Sequence, residues 1–334
     1  MNSFLRSLSP GQQVGLLFVA LFGLLLLLSI GAFLASLREH PDTTEGDSAR
    51  AEMRNFQGVL RASWLMAAVF WVGWASGETV ATVLFALVAF FALREFITMS
   101  PTRRGDHRSL ILAFFVVLPI QFWLTGTAHF DLFTVFIPVY VFLAIPVVSA
   151  LANDPQRFLE RNAKLQWGIM VCVYGMSHVP ALLVLDFPHW DNDKNAFLVF
   201  FLALVVQTSM VVQHLAARQL RRKSALLLRA PEISSSFSWR AWAAGMAAGG
   251  VLGGILSSMT PFKPGQGLAM ALIACAAGSF GHLVMKALKR DRGATPWGGG
   301  VASVTGATGL LDRVDALCFA APVFFHSVRW YFDL

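Results

Sequence analysis

VGLLFVALFGLLLLLSIGAFLASL, residues 14–37, contains no charged side chain. Wound as an α-helix at 1.5 Å per residue, it is long enough to cross a hydrocarbon core of roughly 30 Å. The same pattern recurs along the chain. Its composition is 56% hydrophobic and only 13% charged, against about 25% charged in soluble domains. The apolar residues come in long blocks, not in the one-sided stripe of a surface helix. Strands of a membrane barrel would be short and would alternate, so a barrel is excluded. The fold class is all-α: a polytopic integral membrane helical bundle of about ten transmembrane helices.

The blocks predict spans at about 14–37, 59–76, 79–96, 109–125, 130–152, 166–187, 196–215, 241–259, 267–288 and 314–332. Around Gly77-Glu78 the alternative is one long bent helix, but that would be too long for a single crossing. Ten spans explain the net charge of +7. Of the 26 Lys and Arg, all but Arg6, Lys194, Lys263 and Arg329 fall in alternate loops or their flanks. Positive residues are retained on the cytoplasmic side. Both termini are therefore expected outside and the basic loops in the cytoplasm, with the bacterial inner membrane as the location. Topology accounts for the basic balance, so nucleic acid is not an expected partner. For residues 1–37 a cleaved signal peptide is the alternative. Its apolar core would be unusually long, and the basic residues follow it instead of preceding it, which favours a retained helix.

Three regions follow: 1–58, a first helix and polar linker; 59–215, helices two to seven; and 216–334, with long polar loops and the last three helices. Cys172, Cys275 and Cys318 stand singly in apolar segments, with no zinc-type spacing, and read as small buried hydrophobes. In ANDPQRFLERNAK, residues 152–164, Asp154 reads as a helix cap before Pro155. AAGMAAGGVLGGILSS, residues 243–258, is rich in small residues that let helix backbones approach closely.

The chemistry concentrates in GLLDRVDALCFAAP, residues 309–322. Asp312 and Asp315, at i and i+3, share a helix face. The ordinary reading is a cap at Asp312 and a favourable helix-dipole position for Asp315. Upstream, KALKRDRG supplies Lys286, Lys289 and Arg290, and the Gly-rich WGGGVASVTGATG ends beside Asp312. One or two carboxylates suffice for Mg2+ when substrate phosphates complete its shell. Cations then neutralise phosphate charge. That is an inventory for phosphoryl or nucleotidyl transfer.

The C-terminal segment resembles phosphatidate cytidylyltransferase, also called CDP-diacylglycerol synthase. Members of that family carry G-D-x-x-x-S-x-x-K-R and, further on, H-G-G-x-x-D-R-x-D. The match is specific at Lys289-Arg290 and along Gly309-Leu310-Leu311-Asp312-Arg313-Val314-Asp315. ISSSFSWRA, residues 233–241, looks like a drifted S-P-x-K-T-x-E-G. The chain departs at Gly281-His282, where the family has an acid after Gly. It departs again at Lys286 in place of Ser, at Ala307-Thr308 in place of His-Gly, and at Phe237 and Arg240 in the upstream motif.

The resemblance implies transfer of CMP from CTP to phosphatidic acid or a related lipid phosphate, giving CDP-diacylglycerol and pyrophosphate in phospholipid synthesis. It places Mg2+ on Asp312 and Asp315, and sets Lys289, Arg290 and Arg313 against the phosphates. Ser234, Ser236, Trp239, Lys286 and His282 are the expected substrate-binding residues. Membrane lipids are implied as surroundings, and a second copy of the chain is compatible as a partner. The departures motivate an alternative, a catalytically silent relative that binds lipid or a lipid-synthesis enzyme. For each residue a structural role competes: interfacial snorkelling for Lys289 and Arg290, a topology marker for Arg313, an aromatic anchor for Trp239, and an internal hydrogen bond for His282. A transporter would show paired mid-membrane charges or an inverted repeat, and the sequence displays neither.

Overall fold

In a computed structural model the chain is described over residues 10–36, 71–99, 102–188, 194–221, 237–291 and 309–334, and at positions 57, 64, 67, 68, 190, 233 and 234. Among these residues every regular element is helical. The helices are α1 (Pro10–Ser36), α2 (Glu78–Thr98), α3 (Arg104–Gly126), α4 (Phe130–Ala150), α5 (Phe158–Val184), α6 (Ala196–Arg221), α7 (Trp239–Met259), α8 (Pro264–Asp291) and α9 (Leu311–Phe332). Seven of them, α2 to α8, are long and apolar enough to cross a membrane, which makes the chain an all-α polytopic membrane protein. α1 and α9 coincide with the first and last predicted spans, and α9 opens on charged residues. Half of the span expected at 59–76 lies outside the described residues. The break near Gly77 is real: Gly77 takes a left-handed φ of +87° before α2 begins at Glu78.

The chain divides into two compact units, Met1–Ala81 and Thr82–Leu334. In the first, Leu25, Ala32 and Ala67 form a small core against Phe22 and Trp64. Ser29 Oγ donates to Leu25 O (2.7 Å) and accepts from Trp64 Nε1 (3.0 Å) beside this core.

In the second unit α6, α7, α8 and α9 pack in succession, and α9 also rests on α5 and α6. The small residues expected to bring helices together do so. On α7, a Cβ at Gly245 would lie 2.6 Å from Ser209 O of α6, while at Gly249 and Gly253 it would collide with Cys275 and Ala271 of α8. The three cysteines are buried free thiols, and Cys275 Sγ donates to Val205 O at 3.3 Å. Helices α3, α4 and α5 each contain a π-turn, at Ala113–Val117, Phe136–Val141 and Ile169–Gly175. Pro119, Pro138 and Pro180 lie in or close after these turns. A proline without an N–H is tolerated inside a membrane helix where the local winding re-satisfies the freed carbonyls.

The cap expected at Asp154 is corrected. Helix α5 begins later, at Phe158, with Arg157 in a left-handed conformation at the boundary. Asp154 Oδ1 accepts from Gln156 N (3.2 Å), and its Oδ2 accepts from Arg161 Nη1 (2.6 Å). Arg161 also reaches Asp106, with Nε 3.0 Å from Oδ1, so its buried guanidinium ties the first turn of α3 to the α4–α5 turn. That hydrogen bond from Arg161 holds the Asp154 carboxyl below the usual carboxylate range. The contribution is complete above the ordinary carboxylate pKa and fades as pH falls through the lowered one. Arg161→Met strands the buried Asp106 charge and is expected to cost about 3–5 kcal/mol. A thermal melt of the variant equal to that of the native protein would reject this clamp.

Candidate active site

α8 and α9 run antiparallel, and the candidate residues gather where α8 ends and α9 begins. On α8, His282, Lys286 and Lys289 recur at i, i+4 and i+7 and so share a stripe. On α9, Asp312 and Asp315 are one turn apart. The two stripes meet. The Lys289 ammonium forms an ion pair with Asp312, both side chains being largely shielded from solvent. His282 Nδ1 lies 2.7 Å from Asp315 Oδ2. A carboxylate only accepts, so this ring nitrogen carries the proton. Asp315 is 3% exposed, and its Oδ1 accepts from Ala316 N at 2.6 Å. The cap reading of Asp312 is therefore replaced: it sits inside the first turn and faces α8.

What satisfies the start of α9 comes from elsewhere. No side chain of the helix's own first residues caps it. Glu95, buried near the end of α2, accepts from Leu310 N with Oε1 (3.1 Å) and from Leu311 N with Oε2 (2.9 Å). Gly309, with φ +72°, makes the turn that delivers the chain into this position. A buried carboxylate is costly unless its oxygens are bonded, and two amides at the positive end of a helix supply that. Nothing in the terminal motif pointed to Glu95. The available signal was an acid beside Arg94 near the end of an apolar block.

Beside the Asp–His pair a small open cleft is lined by Gln213, Ser234, Phe237, His282 and Lys286, among others. Lys286 Nζ lies 3.5 Å from Ser234 Oγ. Gln213 is a second residue the sequence did not single out. It is 9% exposed, and its Oε1 has no hydrogen-bond partner among the described residues.

Of the expected site residues, Asp312, Asp315, Lys289, His282, Lys286 and Ser234 are brought together. Arg290 is exposed at the last turn of α8, and Arg313 is half-buried on α9. Trp239 stands apart at the start of α7, half-exposed, in an aromatic group with Phe237, Trp242 and Phe280. That placement suits an interfacial anchor. Ser236 and the Gly-rich connector up to Thr308 lie outside the described residues.

Mg2+ requires few protein ligands, and the two carboxylates meet that demand. The cationic Lys289 and the imidazole of His282 already occupy the positions where positive charge is favoured. Among the described residues no three His, Cys, Asp or Glu side chains cluster to make an all-protein cage. As oxygen donors the two carboxylates suit an ion held partly by substrate, but such an ion would have to replace Lys289 as the partner of Asp312.

A helical membrane bundle with paired acids and cations at one end of α8 and α9 defines a class. The cytidylyltransferase family model matches residues 57–331, and the chain belongs to that family of nucleotidyltransferases, whose nucleotide donor is CTP. A relative, the uncharacterized protein YnbB of Escherichia coli (strain K12), is 30% identical over 281 residues, covering 81% of this chain and 86% of the relative. The family match begins far upstream of the terminal motif and takes in the spans that follow α1.

Proposed function

We propose that the protein transfers CMP from CTP to phosphatidic acid, giving CDP-diacylglycerol and pyrophosphate, with the basic loops and the site on the cytoplasmic face and both termini outside. In the reaction, a phosphate oxygen of the lipid attacks the α-phosphorus of CTP. The bond to the bridging α–β oxygen breaks, and pyrophosphate leaves with its electron pair. Lys286 and Lys289, on one stripe, offset the charge of the phosphates brought together, and Arg290 and Arg313 flank the mouth. Ser234 donates a hydrogen bond from its hydroxyl to a phosphate oxygen, and Trp239 anchors the start of α7 at the membrane interface. Asp315 fixes His282 with Nδ1 protonated, which leaves Nε2 as an acceptor. Asp312 and Asp315 would hold Mg2+, which supplies Lewis-acid stabilisation of phosphate charge when bound. Gln213 offers a buried carbonyl oxygen to a substrate N–H or O–H group, which would otherwise remain unpaired.

The observation that carries this proposal is the meeting of Lys289 with Asp312 and of His282 with Asp315 across α8 and α9. It is tested with the full chain in lipid nanodiscs, by incorporation of labelled CTP into phosphatidic acid and several other lipid phosphates. Magnesium-dependent product well above an Asp315→Asn control is expected; label no higher than that control on every lipid phosphate rejects the reaction. One observation favours the second reading, a catalytically silent relative. Both oxygens of Asp315 are engaged by protein donors, and Asp312 is paired with Lys289. Under that reading the chain binds lipid or a lipid-synthesis enzyme without turning CTP over, and the same assay separates the two.

A further inference from the structure

We propose that Glu95 is a positioning residue for the site, setting the depth and rotation of α9 so that its two acids meet α8. Its importance for turnover rests on the reaction proposed above; its role as a tether does not. The carboxylate is 4% exposed and takes the backbone N–H groups of two successive residues, Leu310 and Leu311, from a position 215 residues upstream. Asp312 is the next residue and Asp315 lies one turn on. A helix slipped by one residue rotates by about 100° and shifts by about 1.5 Å. Because Lys289 and His282 stand two turns apart on α8, such a slip would break both pairings together. A two-point tether at the first turn opposes it.

The tether is itself anchored. On α5, a Cβ at Gly168 would fall 2.7 Å from the Phe96 ring of α2, and at Gly175 it would collide with the Cys318 carbonyl of α9. Two glycines seven residues apart thus seat the helix that carries Glu95 and the helix it holds against one rod. Positioning groups are most effective on such rigid elements.

The test compares Glu95→Gln, Glu95→Leu and the native full chain in nanodiscs by hydrogen–deuterium exchange of peptides covering 309–316, with steady-state kinetics alongside. Leu preserves most of the volume and removes the acceptors. Gln keeps one carbonyl oxygen and turns its amino group towards the second amide. Exchange at Leu310 and Leu311 is expected to rise at least about tenfold in Glu95→Leu and less in Glu95→Gln. The turnover number is expected to fall about 10–100-fold in Glu95→Leu, with KM for CTP within about threefold and partial recovery in Glu95→Gln. Native-like exchange in Glu95→Leu overturns the proposal. So does raised exchange with native turnover. If Glu95→Leu does not fold, Glu95→Gln decides by the same two readouts. If the native chain shows no turnover, the reaction is wrong and exchange alone decides the tether: a rise upholds it, and none rejects it.

Discussion

Asp315→Asn is expected to lower turnover by at least about 100-fold while leaving the thermal melt within a few degrees of native. Asn has the size and shape of Asp, and it would fill the same buried position, so packing survives. The hydrogen-bond logic does not. Asp315 accepts on both oxygens, from His282 Nδ1 and from Ala316 N. An amide has one accepting oxygen, so its NH2 must face one of these donors. If it faces the ring, His282 must move its proton to Nε2, and the group presented to the cleft changes from acceptor to donor. If it faces Ala316 N, two donors confront each other in a buried space, which costs roughly 1–3 kcal/mol. In both arrangements a negative charge is lost opposite the Lys286–Lys289 stripe. Lys289→Met is the companion test. It removes the ammonium from Asp312 and one cation from the phosphates, and is expected to cost about 10²–10³ in turnover. Turnover in Asp315→Asn within threefold of native would show that the Asp–His pair is structural. If Lys289→Met alone were silent, only the phosphate role of that lysine would fall.

What could be read from the sequence divides along the range of the interactions. Membrane helices satisfy their own backbones, so each apolar block announces itself without knowledge of its neighbours. The acids of α9 and the cations of α8 were legible because a local spacing carries them: Asp312 and Asp315 at i, i+3, and Lys286 and Lys289 at i, i+3. Glu95 was not, because its partners are backbone amides more than two hundred residues away. No side-chain pattern encodes an amide. Gln213 is missed for a similar reason, since it is one of three glutamines in α6 and acquires meaning only from the cleft it faces. Asp154 was misassigned because Asp before Pro is a strong local cap signal. In the fold the same carboxylate is claimed by Arg161, and the helix starts beyond it. The family match from residue 57 shows that the early spans carry kinship that the terminal motif alone did not reveal.

Gly175→Ala is expected to damage both fold and site, although it adds a single methyl group far from Asp312. The new Cβ would overlap the carbonyl of Cys318. A flexible side chain could swing away; a backbone carbonyl in a helix cannot, so α5 and α9 must separate by roughly 1 Å. Overpacking of this kind costs about 1–3 kcal/mol. The displaced helix is the one tethered by Glu95, whose bonds to Leu310 and Leu311 at 3.1 and 2.9 Å have little room to lengthen. A misplacement of about 1 Å at a reacting centre can reduce the rate by about 10², so turnover should fall further than stability. Gly254→Ala on α7 is the control. There the new Cβ would have Pro264 O as its nearest neighbour, at 4.0 Å. Replacing a helical glycine by alanine in open space is expected to stabilise by about 0.5–1 kcal/mol. If close approach of α5 to α9 holds the site in register, the melting temperatures of the two variants shift in opposite directions, and turnover falls in Gly175→Ala alone. Equal behaviour of the two would mean that the contact at Gly175 yields freely and that the position of α9 is set by something other than its seat on α5.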